Sequence, residues 1–208
     1  MFSIIQAAGW PIWPLIASSV LALALVIERF ISLKTQRIAP PKLLDEVLAV
    51  ARYAVPAPDV VSKLEQNSVL GEVLASGLRA LNLNPRCSED ELRAVMESAG
   101  RLAAHKLERY LSALATIASA APLMGLFGTV VGMIEIFGSQ TPSGATGGNP
   151  AQLAHGISVA LYNTAFGLIV AIPSLIFWRY FRARVDEYLL TLELAAERLA
   201  RHLNTLRK

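Results

Sequence analysis

The sequence predicts an all-α membrane protein with three transmembrane helices, and three observations carry that prediction. Residues 1–27, 110–134 and 157–178 contain no charged side chain. Each run reaches the roughly 20 apolar residues that a helix needs to cross a bilayer core. The flanking charges are one-sided. Arg29, Lys34 and Arg37 follow the first run, Arg101, Lys106 and Arg109 precede the second, and Arg179, Arg182 and Arg184 follow the third. Residues 1–9 and 138–156 hold no Lys or Arg. The whole chain is 54% hydrophobic and only 17% charged, against about 25% charge in a soluble domain.

The charge asymmetry sets the expected orientation. Basic residues mark the cytoplasmic side, so residues 1–9 and the loop 138–156 lie outside, and residues 31–109 and 182–208 lie inside. The net charge of +3 does not point to nucleic acid, because no aromatic-basic platform accompanies it. The basic clusters suit anionic lipid headgroups instead. The first run lacks a basic leader and a small-residue cleavage site before Glu28-Arg29-Phe30, so it is expected to stay as a span. Cys87 is the single cysteine, and no internal disulfide is available to it.

Span 1 occupies residues 10–30. Trp10 and Trp13 suit the outer interface, and Pro11 and Pro14 are tolerated near a helix start. From Pro14 to Phe30 the polar groups are Ser18 and Ser19 until the closing Glu28-Arg29, which fits a lipid-facing outer helix. The cytoplasmic region 31–109 reads as helical between prolines. One stretch runs from Lys42 to Tyr53. A second, over 59–82, carries Val61, Leu64, Leu70, Val73, Leu74, Leu78 and Leu81 on a helical stripe. Asn82-Leu83-Asn84-Pro85 breaks it. Ser88, with Glu91 three residues on, has capping-box spacing.

No breaker follows until Pro122, so residues 89–137 are expected as one helix longer than about 70 Å, with span 2 at 110–137. The loop 138–156 is rich in Gly, Ser, Thr, Pro and Asn, with Gly147-Gly148-Asn149-Pro150 as its breaker. Span 3 covers 157–181, its helix starting at Ala151 or Ile157. The tail 182–208 continues in helical period through Val185, Leu189, Leu192, Ala196, Leu199, Leu203 and Leu206. Two helices extended far into the cytoplasm with apolar stripes need partners, each other or neighbouring copies.

The chemistry is sparse. No phosphate loop, metal-ligand spacing or nucleophile with a base appears. His105, His155 and His202 fall at different levels, so no metal, no cofactor and no enzymatic activity is expected. Ala118, Ala121, Gly125, Gly128 and Gly132 form a small-residue stripe on span 2; Ala160, Thr164, Gly167, Ala171 and Ser174 form one on span 3. Such stripes permit close helix approach in lipid. Tight packing is one reading; a pore or groove wall is the other. Pro122 and Pro173 sit inside the spans, where each removes a backbone hydrogen bond and can kink its helix. Ser119, Thr129, Asn163 and Thr164 are the polar groups at depth, and a lone Thr there often just bonds a carbonyl of the preceding turn. Glu135 is the only acidic residue between Glu108 and Asp186. A carboxylate in a span is a functional candidate, and its place near the outer end leaves two readings, an interfacial carboxylate or a periplasmic-side ion entry.

The segments Pro122-Leu-Met-Gly-Leu-Phe-Gly-Thr-Val-Val-Gly-Met-Ile134 and Gly156-Ile-Ser-Val-Ala-Leu-Tyr-Asn-Thr-Ala-Phe-Gly-Leu-Ile-Val-Ala-Ile-Pro173 resemble the two signature segments of the ExbB/TolQ/MotA family. Glu28-Arg29 after span 1 is similar too. Three spans with an outside N-terminus look like the ExbB/TolQ branch, since MotA has four. The resemblance implies a Gram-negative inner-membrane motor subunit. It implies a homopentameric bundle around the helices of an ExbD/TolR-type single-span partner, present as a dimer, with spans 2 and 3 lining the pore. A partner carboxylate would carry the ion, and a TonB- or TolA-like protein would receive the work. By the same resemblance Thr129 and Thr164 match pore-facing threonines, Gly125, Gly128, Gly132 and Gly167 match its glycines, and Pro122 and Pro173 its prolines. Many relatives carry Glu where this chain has Val159; Asn163, one turn on, shares that face and has no titratable proton. The choice between H⁺ and Na⁺ therefore stays open. The alternative function is a passive scaffold subunit of another membrane complex.

Overall fold

The computed structural model describes residues 9–52, 56–138 and 150–205, with the side chains of residues 150–153 and 155 excluded. The expectations placed on residues 1–8, on Tyr53, on most of the outer loop, on the His155 side chain and on Leu206 lie outside the described residues. Eight helices run through the described chain: α1 (Ile12–Ser32), α2 (Thr35–Ile38), α3 (Leu43–Val50), α4 (Pro58–Asn67), α5 (Val69–Leu83), α6 (Glu89–Glu108), α7 (Leu111–Gly138) and α8 (Pro150–Thr205). Three stretches, Ile12–Ser32, Glu89–Gly138 and Gly156–Thr205, are long and apolar enough to cross a membrane. The chain divides into two compact units, Met1–Glu28 with Tyr110–Tyr180, and Arg29–Arg109 with Phe181–Lys208.

The first unit holds most of the charge-free sequence. Gly9 opens it at φ +74°, a left-handed conformation that glycine adopts without steric cost. Pro14 falls in the first turn of α1, where its missing N–H leaves no helical bond unmade. Ile12, Leu15, Ala22 and Val26 are buried on one face, while Val20, Leu21, Leu23 and Ile27 are exposed. The Trp10 ring meets Phe127 of α7 edge-on, with centroids 5.9 Å apart. Pro122 and Pro173 lie inside α7 and α8, and both helices run through them. Leu123, Leu126, Val130 and Ile134 of α7 and Leu161, Ile169, Ile172 and Ile176 of α8 are exposed. An apolar exterior of this extent suits lipid or neighbouring helices rather than water.

The second unit has a conventional apolar core. Its heart is α5, where Leu70, Val73, Leu74, Ala75, Leu78 and Leu81 are buried. Leu92, Met96, Ala103 and Leu107 of α6 are buried too. The tail of α8 buries Phe181, Val185, Tyr188, Leu192, Ala195, Leu199 and Leu203, a three-four alternation that keeps one seam facing inward. The sequence stripe included Leu189 and Ala196; both are half-buried, and Tyr188 and Ala195 take the inner positions. Lys106 Nζ lies 2.7 Å from a Glu72 oxygen, and Arg182 Nη1 lies 2.8 Å from Glu108. Both pairs are substantially exposed, so each contributes at most about 1 kcal/mol.

The capping box at Ser88 forms as its spacing predicts: Ser88 Oγ accepts the Glu91 N–H and Glu91 accepts the Ser88 N–H. Two expectations need correction. The stretch 59–82 is two helices, because Ser68 leaves helical geometry and caps α5 by accepting the Gly71 N–H. The single helix expected over 89–137 is also two. Arg109 is extended (φ −51°, ψ 137°) and Tyr110 takes φ +68°. No proline or glycine stands at that break, which is why the sequence pattern missed it.

Candidate functional site

The site candidates concentrate on α7 and α8, whose charge-free segments pack antiparallel inside the first unit. The glycines fix the register. A Cβ added at Gly167 would lie 2.6 Å from Ala121 O and 3.1 Å from Gly125 Cα. One added at Gly125 would lie 2.7 Å from Asn163 O and 3.0 Å from Thr164 Cα. A Cβ on Gly128 would meet Asn163 Cβ at 2.7 Å, and one on Gly132 would meet Ala160 Cβ at 3.1 Å. Backbone therefore touches backbone along two turns, an approach that any side chain at 125 or 167 prevents. In lipid this packing supplies the association that burial from water supplies elsewhere.

The two small-residue stripes face each other within one chain. Ala118, Ala121, Gly125 and Gly128 are buried on α7, and Ala160, Gly167, Ala171 and Ser174 on α8. Gly132 and Thr164 are half-buried at the border of this face. The packing reading of the stripes thus accounts for their buried members.

The polar candidates divide between the seam and its edges. Asn163 is 1% exposed, with its side chain seated on Gly128. Its Oδ1 atom is buried and receives no hydrogen bond from the described residues, and Asn163 makes a further polar interaction. Ser174 Oγ donates to Val170 O at 2.7 Å. Thr129 is half-buried, and its Oγ1 donates to Leu126 O at 2.6 Å. Thr129 also borders a concavity lined by Val130, Met133, Ile134, Phe137 and Gly138. Ser119 is exposed and donates to Ala115 O. Each of these hydroxyls thus has a carbonyl of the preceding turn, so none needs a ligand. Val159 is half-buried one turn before Asn163, and Glu135 is exposed near the end of α7. Of the sequence candidates, Gly125, Gly128, Gly132, Gly167, Asn163 and Thr164 come together at one seam. Glu135 and Thr129 stand apart from it on α7.

Among the described residues no group of three metal-binding side chains is present. What the chemistry of this site offers is a surface of methyl, methylene and hydroxyl groups without a fixed charge. Such a surface admits a protonated or ion-paired carboxylate and offers no compensating charge to a bare ion.

Sequence reasoning missed two residues in the second unit. Arg29 reads in sequence as a topological charge, yet it is 4% exposed and its Nη1 donates to Leu107 O at 3.0 Å. Tyr188 reads as a tail aromatic, yet its buried hydroxyl donates to Leu33 O at 3.0 Å, lies 3.0 Å from Thr35 Oγ1, and accepts from Arg184 Nη2 at 2.9 Å. The one local hint was the position of Arg29, inside the last helical turn of span 1 and followed at once by Phe30-Ile31.

Comparison with known proteins places these segments in context. The profile described as the MotA/TolQ/ExbB proton channel family matches residues 65–194. A protein named ExbB-like 3 from Synechocystis sp. is 34% identical over 178 residues, 86% of this chain and 83% of that protein. The biopolymer transport protein ExbB of Salmonella typhimurium is 31% identical over 189 residues, covering 86% of this chain and 74% of its own length. The Tol-Pal system protein TolQ of Pseudomonas aeruginosa is 38% identical over 137 residues, 65% of this chain and 58% of its own.

Proposed function

The chain belongs to the ExbB/TolQ branch of the MotA/TolQ/ExbB proton channel family, and from that premise we propose that it is the channel subunit of an ion-driven motor in a Gram-negative inner membrane. In this reading five copies surround a dimer of an ExbD/TolR-type single-span protein. The N-terminus faces the periplasm and the C-terminus the cytoplasm, with α6 and the tail of α8 extending spans 2 and 3 inward. The partner carries the moving carboxylate, and a TonB- or TolA-like protein takes up the work.

The observation that carries the reading is the chemistry of spans 2 and 3. Residues 110–134 and 157–178 contain no charged side chain, so the subunit cannot pass an ion across mid-span with a carboxylate or basic group of its own. A charge crossing the membrane is worth about 2.3 kcal/mol per 100 mV, and another chain must supply the group that carries it. Thr164, at the border of the glycine seam, and Thr129, apart from it on α7, offer that group hydrogen bonds without fixing a countercharge beside it. Val159 and Asn163 complete the proposed path, Pro122 and Pro173 shape the two helices, and Glu135 is the proposed outer entry.

The test is reconstitution. The purified chain and its single-span partner, placed together in liposomes, are expected to dissipate a proton or sodium gradient, and neither alone does so. Thr164→Val is expected to lower that flux while the oligomer still assembles. A complex that dissipates neither gradient defeats the reading.

A further inference from the structure

The break between α6 and α7 is not made by a helix-breaking residue. Leu107-Glu-Arg-Tyr-Leu111 contains neither proline nor glycine, and every residue in it is acceptable in a helix. Tyr110 nonetheless sits at φ +68°, which a non-glycine L-residue adopts only against steric resistance. Something outside the segment must hold it there.

In an unbroken helix Leu107 O would accept the N–H of Leu111. Here that carbonyl accepts Arg29 Nη1 at 3.0 Å, in a buried setting. A guanidinium is a strong charge-assisted donor, and it meets the negative end of the α6 dipole. Arg29 is also presented from a fixed stem. Next to it, Phe30 packs edge-on against Phe181 at 5.0 Å. One turn on, Leu33 N–H bonds Arg29 O, and Leu33 O accepts the Tyr188 hydroxyl at 3.0 Å. The last turn of α1 is thus pinned, and Arg29 reaches from it.

We propose that Arg29 is a positioning residue: it competes with the Leu111 N–H for the Leu107 carbonyl, holds the helix broken at Arg109–Tyr110, and so fixes where α7 begins. The competition for the carbonyl does not rest on the channel reading above.

Hydrogen exchange on the full chain in lipid nanodiscs tests it, through the amides of Leu111, Ser112 and Ala113. These open α7 in the native protein and would gain carbonyl partners in a continuous helix. Arg29→Gln is expected to slow their exchange on the order of tenfold or more. Arg29→Lys, which still caps with a cation, is expected to keep the native rate. Adding Tyr110→Gly to Arg29→Gln is expected to restore fast exchange, since glycine holds the left-handed turn unaided. If Arg29→Gln fails to accumulate, Tyr110→Ile probes the same competition, because a β-branched residue resists φ > 0 and should slow exchange likewise. Exchange at 111–113 that stays unchanged or speeds up in Arg29→Gln, or in Tyr110→Ile where the former is not obtained, overturns the proposal and leaves Arg29 a plain stabiliser. In the reconstituted complex, flux lost in Arg29→Gln should return with the added Tyr110→Gly. A complex whose native form conducts nothing refutes the channel reading while leaving the exchange result standing.

Discussion

Alanine substitution along the α7–α8 seam should produce a graded series whose order is set by what each new methyl meets. At Gly125 the added Cβ would stand 2.7 Å from Asn163 O, and at Gly167 2.6 Å from Ala121 O, where ordinary contact begins at 3.4 Å. The helices must part by about 0.7–0.8 Å, because a backbone carbonyl cannot rotate away as a side chain can. Forced insertions of this kind cost about 1–3 kcal/mol. The upper half applies here, since separation also loosens the neighbouring contacts at Gly128 and Ala160. Gly128→Ala meets the short Asn163 side chain at 2.7 Å and should rank next. Gly132→Ala meets one methyl at 3.1 Å and should cost less than about 1 kcal/mol. Gly100→Ala has nothing within 4 Å and lies in the middle of α6, so it should stabilise the second unit by about 0.5–1 kcal/mol. Titration with a helix-separating detergent, followed by tryptophan fluorescence, reads the first unit selectively, because Trp10, Trp13 and Trp178 all belong to it. A Gly125→Ala protein as stable as the native one, or a series in which Gly132→Ala is the worst, would refute the close-packed seam.

Further outcomes follow from other residues. Ser88→Ala removes one half of the capping box and should cost about 1 kcal/mol, seen as faster thiol labelling of the adjacent buried Cys87. Thr129→Val preserves shape and removes a hydroxyl that already bonds Leu126 O; stability should hold within about 1 kcal/mol, and a fall in reconstituted flux would then mark the hydroxyl as part of the path. Val159→Glu is expected to make that flux depend on pH in a way the native protein's does not; identical profiles would take position 159 out of the path. Glu135→Gln should slow flux most at low ion concentration if this carboxylate gathers ions at the entry, and equal rates throughout would leave it interfacial.

Much of this protein was written in one dimension. A bilayer imposes a length, so charge-free runs identified the three spans without tertiary knowledge. The Ser88 box was legible because both partners are local. The small stripes were legible as stripes, since their spacing alone brings Ala121, Gly125 and Gly128 to one face. What they face was not. The α7–α8 register, with Gly125 against the Asn163–Thr164 backbone, belongs to the packed pair. The break at Tyr110 shows the limit most sharply. Residues 107–111 favour a helix by every local measure, and the donor beside the Leu107 carbonyl is Arg29, distant in sequence. Hydropathy and local capping act within a few residues, so the sequence declares them. A carbonyl taken by a guanidinium from another helix is decided only when the chain has folded.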